Sequence, residues 1–116
     1  MNFGDGCYFN ANSLINAGSS ITFGDKFLCG WNASILDGDG HSITNENGEI
    51  INGYKPIEFG RHCWVAAHAT VLKGVKLNDD VIVPYGSVIT KSCEFKNVIF
   101  GGQPNVVLKS GIKRKN

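Results

Sequence analysis

An apolar residue recurs every six positions along most of this chain. Windows cut at Phe3, Phe9 and Ile15, at Phe23, Cys29 and Ile35, and at Phe59, Val65, Val71, Leu77, Val83 and Ile89 all begin on a hydrophobic side chain. The register slips by two residues at Ser20 to Thr22 and is interrupted once, between Gly40 and Phe59. The second position of the windows is mostly small or turn-forming, as at Gly4, Asn10, Gly24, Gly30 and Gly60. The fifth is mostly small or apolar, as at Cys7, Ala33, Cys63, Ala69 and Cys93. A helix face repeats at three and four residues and an alternating strand at two, so neither accommodates a period of six. A triangular solenoid does. Each hexapeptide supplies a short strand and a corner, three close one coil, and stacked coils pair their strands in parallel.

On this reading residues 3–20 and 23–40 form two coils and residues 59–76 and 77–94 two more. Residues 41–58 form a protruding loop from which Ile57 returns to the sheet. The predicted domain is therefore a β-helix over residues 1–94, with that loop inserted. Residues 95–116, carrying Lys96, Lys109, Lys113, Arg114 and Lys115, are expected to form a C-terminal cap. The repeat already starts at Phe3, so the opposite end needs cover from oligomerisation or from an upstream segment.

Composition narrows the function classes. A length of 116 residues fits one domain, and a formal charge of +1 gives no field to recruit nucleic acid or anionic lipid. No stretch is apolar enough to span a bilayer and no leader pattern opens the chain, so a cytoplasmic location is expected. The four cysteines form no C-x-x-C pair, and their repeat positions fit packing better than metal binding or reactivity.

Three stretches carry a more specific signal: ILDGDGHSI at 35–43, IEFGRHCWVAAHATVLKGV at 57–75, and YGSVITK at 85–91 followed by GGQP at 101–104. In order and spacing they resemble the hexapeptide-repeat acyltransferases, and among them the O-acetyltransferases of sugars and polysaccharides. The resemblance implies an all-β, left-handed parallel β-helix and transfer of an acetyl group from acetyl-CoA to a hydroxyl or amine of a sugar-like acceptor. It makes His41 the general base. An imidazole titrates near neutrality, so it can take the acceptor proton and pass it to the leaving thiolate without a covalent intermediate. Asp37, Asp39 or a backbone carbonyl is a candidate to orient that ring, and Asn10 matches an asparagine that stabilises the oxyanion.

Trp64, Tyr54 and Asp39 are the expected acceptor contacts. Ala67, Tyr85, Thr90, Lys91 and Lys109 are the expected coenzyme contacts, with Lys113 and Arg114 within reach of its phosphates. The chain departs from the family pattern at Pro84, Tyr85 and Asn105. The family also implies a homotrimer with sites shared between neighbours, and no metal. Two rivals remain: a non-catalytic scaffold or truncated remnant, and a zinc-dependent carbonic anhydrase-like protein using His41, His62 and His68, with His62 on an exposed corner.

Overall fold

Strands of two or three residues bury too little to persist alone, and here stacking holds them. The computed structural model describes residues 1–116 and contains strands, turns and loops without a helix. The first coil is β1 (Asn2–Phe3), β2 (Tyr8–Phe9) and β3 (Leu14–Asn16). The second is β4 (Ile21–Phe23), β5 (Leu28–Cys29) and β6 (Ser34–Leu36). The third is β7 (Ile57–Phe59), β8 (Trp64–Val65) and β9 (Thr70–Val71). The fourth is β10 (Lys76–Leu77), β11 (Val81–Val83) and β12 (Val88–Ile89). All pairing between coils is parallel: β1-β4-β7-β10 make the first face of a triangular prism, β2-β5-β8-β11 the second and β3-β6-β9-β12 the third. The register aligns Phe3 with Phe23, Phe23 with Phe59 and Phe59 with Leu77, so the window starts stack as the repeat predicts.

Those stacked residues are the core. From the second coil upward every window start is buried, from Phe23 and Cys29 to Val83 and Ile89, whereas Phe3, Phe9 and Ile15 have a coil on one side only and stay partly exposed. Phe3, Phe23 and Phe59 form a ladder of parallel rings with centroids 5.2 and 5.4 Å apart. Each such pair adds about 0.5–1.5 kcal/mol beyond its burial. Most fifth positions also point inward, with Ser19 and Asp39 exposed where the third corner meets the loop. Even the bulky Phe27 is fully buried at its fifth position, edged against Phe9, Phe23 and Phe59. No helix is long and apolar enough to cross a membrane.

The corners explain the small second positions and assign the fourth. A Cβ on Gly24 would collide with the backbone of Gly60 in the next coil, because coils approach closest there. The fourth residue turns the chain in the left-handed region, at Lys26, His62 and Asp80 on the first corner and at Asn12, Asn32 and His68 on the second. Its N–H donates to the third-position carbonyl of the coil before, as in His62 to Asp25 and His68 to Trp31, which offsets part of the strain. Within the C-terminal segment, β13 (Val98–Gly101) extends the second face beside β11 and folds back into the antiparallel β14 (Val106–Ser110). Val98 and Phe100 turn into the core.

Candidate active site

Most of the predicted site residues fall on two edges of the prism; Lys109 stands on β14, and Lys113 and Arg114, expected within reach of the coenzyme phosphates, lie instead beside Lys26 at the first corner. On the third corner, the chain leaves the second coil after Leu36 and enters the loop. Asn52 organises that loop: its Nδ2 donates to Asp39 Oδ2 at 2.9 Å and to the His41 carbonyl at 2.8 Å, and its Oδ1 accepts from Ile43 N–H at 2.6 Å. Lys73 reaches over from the third coil to Asp39 Oδ2 at 2.7 Å. That contact first, and Asn52 second, hold the Asp39 carboxyl below its usual range. The Tyr54 ring lies over Gly18 and Gly38, where any side chain would strike it, and so pins the loop's return to the solenoid. Gly38, Asp39, His41, Ile50 and Tyr54 together line a hollow of about 230 Å³, with His41 exposed in it.

Neither aspartate orients the His41 ring, contrary to expectation. Asp37 is completely buried and its two oxygens accept from the N–H groups of Gly18 at 2.8 Å and Ser19 at 2.7 Å. Asp39 is committed to Lys73 and Asn52.

Asn10, Trp64, Ala67 and Tyr85 converge on a different edge, the second corner. They line an apolar groove of about 560 Å³ together with Trp31 and Pro84. The third positions of this corner run Ala11, Trp31, Ala67, Tyr85 from coil to coil. The small Ala67 is therefore a slot between two exposed aromatic walls. Tyr85 leans on the His68 ring at 5.1 Å, and Asn10 Nδ2 donates to the Cys29 carbonyl at 3.1 Å. Sequence reading missed Trp31; the signal was a large aromatic at the third position one coil, or three windows, before Ala67 in the same column.

Thr90 and Lys91 lie at the third corner of the fourth coil. Their N–H groups donate to Asn105 Oδ1 at 2.8 and 3.1 Å, and Asn105 Nδ2 donates to the Val88 and Gly102 carbonyls at 2.9 and 2.7 Å. Asn105, noted in the sequence only as a departure, is a buried clasp between the hairpin and the last coil. Lys109 stands exposed on β14, opposite Ile99.

The three histidines occupy three different corners. His62 is not exposed: it is 8% accessible, with Nδ1 2.6 Å from Asp80 Oδ1. His68 sits beside Asn32 and Tyr85, and no group of three or more His, Cys, Asp or Glu side chains comes together in the chain.

No family model matches the chain. Galactoside O-acetyltransferase of Escherichia coli (strain K12) is 30% identical over 112 residues, covering 94% of this chain and 53% of that protein. The chain thus spans about half the length of the curated relative it matches. Among solved structures, a polySia-specific acetyltransferase superposes with a TM-score of 0.88 at 22% identity, over 98% of this chain and 53% of that one. A hexapeptide-repeat acetyltransferase from Vibrio cholerae O1 biovar eltor, complexed with acetyl coenzyme A, gives 0.77 at 23% identity, over 93% and 58%.

Proposed function

We propose, from its place among the hexapeptide-repeat, left-handed β-helix acyltransferases, that the chain transfers an acetyl group from acetyl-CoA to a hydroxyl of a sugar-like acceptor. A ring nitrogen of His41 takes the hydroxyl proton while the oxygen attacks the thioester carbonyl. The oxyanion that forms is met by Asn10, the C–S bond breaks, and the proton passes to the thiolate of coenzyme A. Atoms balance without a covalent enzyme intermediate. The apolar slot at Ala67, walled by Trp31, Trp64 and Tyr85, suits the thin pantetheine arm. Lys91 and Lys109 offer ammonium groups to its phosphates, with Thr90 held beside them by Asn105. Tyr54 and Asp39 flank His41 on the acceptor side.

One observation carries this reading. His41 and the Asn10–Ala67 groove stand on opposite margins of the third face of the same chain, and both are open. Two chains meeting third corner to second corner bring the base and the slot together, and a threefold ring closes that contact. The donor makes a cytoplasmic setting the expected one.

Release of free coenzyme A from acetyl-CoA, followed over a panel of sugars and amino sugars, tests the assignment. His41→Ala is expected to lower the rate by about 10²–10⁴-fold. Full activity in that variant would remove the histidine from the mechanism. Absence of coenzyme A binding by calorimetry would leave a non-catalytic β-helix.

A further inference from the structure

The first corner, which plays no part in the proposed transfer site, gathers nearly half of the chain's basic side chains. The tail after β14 runs down this edge and brings Lys113, Arg114 and Lys115 beside Lys26 and Arg61, around a groove of about 510 Å³ without a hydrophobic lining residue. Five of the eleven Lys and Arg residues thus face one groove on a chain whose net charge is only +1. None of the five is in an ion pair: the four salt bridges of the chain use His62, Lys73, Lys76 and Lys96. The single acidic side chain lining the groove, Asp80, is engaged by His62. Asp25 and Asp79, on the same corner, turn an oxygen to the backbone N–H groups of Asp5 and Arg61.

Arg114 shows that the cluster is built rather than a frayed basic tail. Its guanidinium donates to the Lys26 carbonyl through one terminal nitrogen, while Nε is buried without a partner. Burial pulls its pKa down, yet an arginine remains a cation at neutral pH, so desolvation is tolerated with no anion in contact. Unpaired charges this close together repel, and the arrangement becomes favourable when an anion enters.

We propose that the first-corner groove binds a small ligand bearing phosphate groups, with Arg61 and Arg114 as its principal contacts. Several negative charges within a few ångströms match the density of cations here. The planar guanidinium fork suits phosphate oxygens, and a single carboxylate would leave most of the cluster unpaired. The groove leaves room for a group larger than a lone ion. The site lies across the second face from the Ala67 slot, and its existence does not depend on acetyl transfer.

Calorimetry of the full chain with inorganic pyrophosphate, alone and with saturating coenzyme A, tests this. One pyrophosphate per chain is expected, bound about tenfold more weakly by Arg61→Gln or Arg114→Gln. Lys91→Gln should leave binding unchanged, and coenzyme A should not displace it. Because Arg61 is exposed and outside the core, its variant remains informative even if Arg114→Gln loosens the tail. No heat at millimolar pyrophosphate would overturn the proposal. So would displacement by coenzyme A, or weakening by Lys91→Gln but by neither arginine variant, since both results assign the phosphate to the acetyl donor.

Discussion

Asp39 and the buried cysteines show how far one side chain's surroundings set its chemistry. Lys73 and Asn52 hold the Asp39 carboxyl below its ordinary value of 3.8, so in the acid range the unfolded chain binds more protons than the folded one. The stabilisation is present above that value and is lost as pH falls through the lower, folded pKa. Chemical denaturation across the acid range should therefore show a smaller loss of stability for Asp39→Asn than for the parent, and an equal loss would mean the Lys73 contact does not persist in solution. The thiols behave oppositely. Burial pushes Cys29 up to about 11 and Cys63 up to about 12, so neither forms thiolate at pH 8. Mass spectrometry after brief alkylation should find both unmodified in the native chain and labelled after denaturation; labelling of Cys63 at the denatured rate would contradict the packing. That packing was legible, because Cys29 holds a first position and Cys63 a fifth. Both positions point inward where a coil is covered on both sides and the chain does not leave it for the loop, as it does at Asp39. His62 was misread because its exposure depends on Asp80, eighteen residues on, and no local pattern encodes which side chain the next coil sets beside it.

At the scale of elements, the six-residue period gave the twelve coil strands and the place of the loop. Its phase is lost after Cys93, and β13 and β14 went unread: Val98 and Phe100 are buried on a two-residue alternation too short to stand out from its surroundings. What fastens that hairpin is Asn105. With the side chain gone, two N–H groups lose their acceptor, the Gly102 carbonyl loses its donor, and the Val88 carbonyl keeps only the one from Gln103. Asn105→Ala is accordingly expected to destabilise the chain by about 1–3 kcal/mol, tempered because Thr90 and Lys91 can reach water. Hydrogen exchange should show amide protection falling first at Thr90 and Lys91 and across β13. Unchanged protection there would mean that strand pairing with β11 holds the hairpin unaided. The contacts at Gly24 and at Tyr54 work by the same logic, a close approach between segments distant in sequence, of which only the glycines were visible beforehand.

The whole molecule is a prism about 50 Å long and 27 × 21 Å across, with the two sets of residues proposed for acetyl transfer on different edges. If neighbouring chains meet edge to edge, each site takes its base from one chain and its oxyanion donor and slot from the next. This can be tested by complementation without knowing the acceptor's identity beyond one working substrate. His41→Ala chains keep an intact Asn10 edge, and Asn10→Ala chains keep an intact His41 edge. Each homo-oligomer is expected to be nearly inactive. When equal amounts are unfolded together and refolded, a site receives both native residues only where an Asn10→Ala chain supplies the base and a His41→Ala neighbour supplies the groove, which random mixing gives at about a quarter of the sites. Activity should therefore return to about a quarter of that of the refolded parent, against almost none for either variant refolded alone. Return would require both edges to belong to one site and to different chains. Persistent inactivity in material shown by native mass spectrometry to contain mixed oligomers would place the complete site within a single chain, and the separation of His41 from Ala67 would then count against acetyl transfer itself.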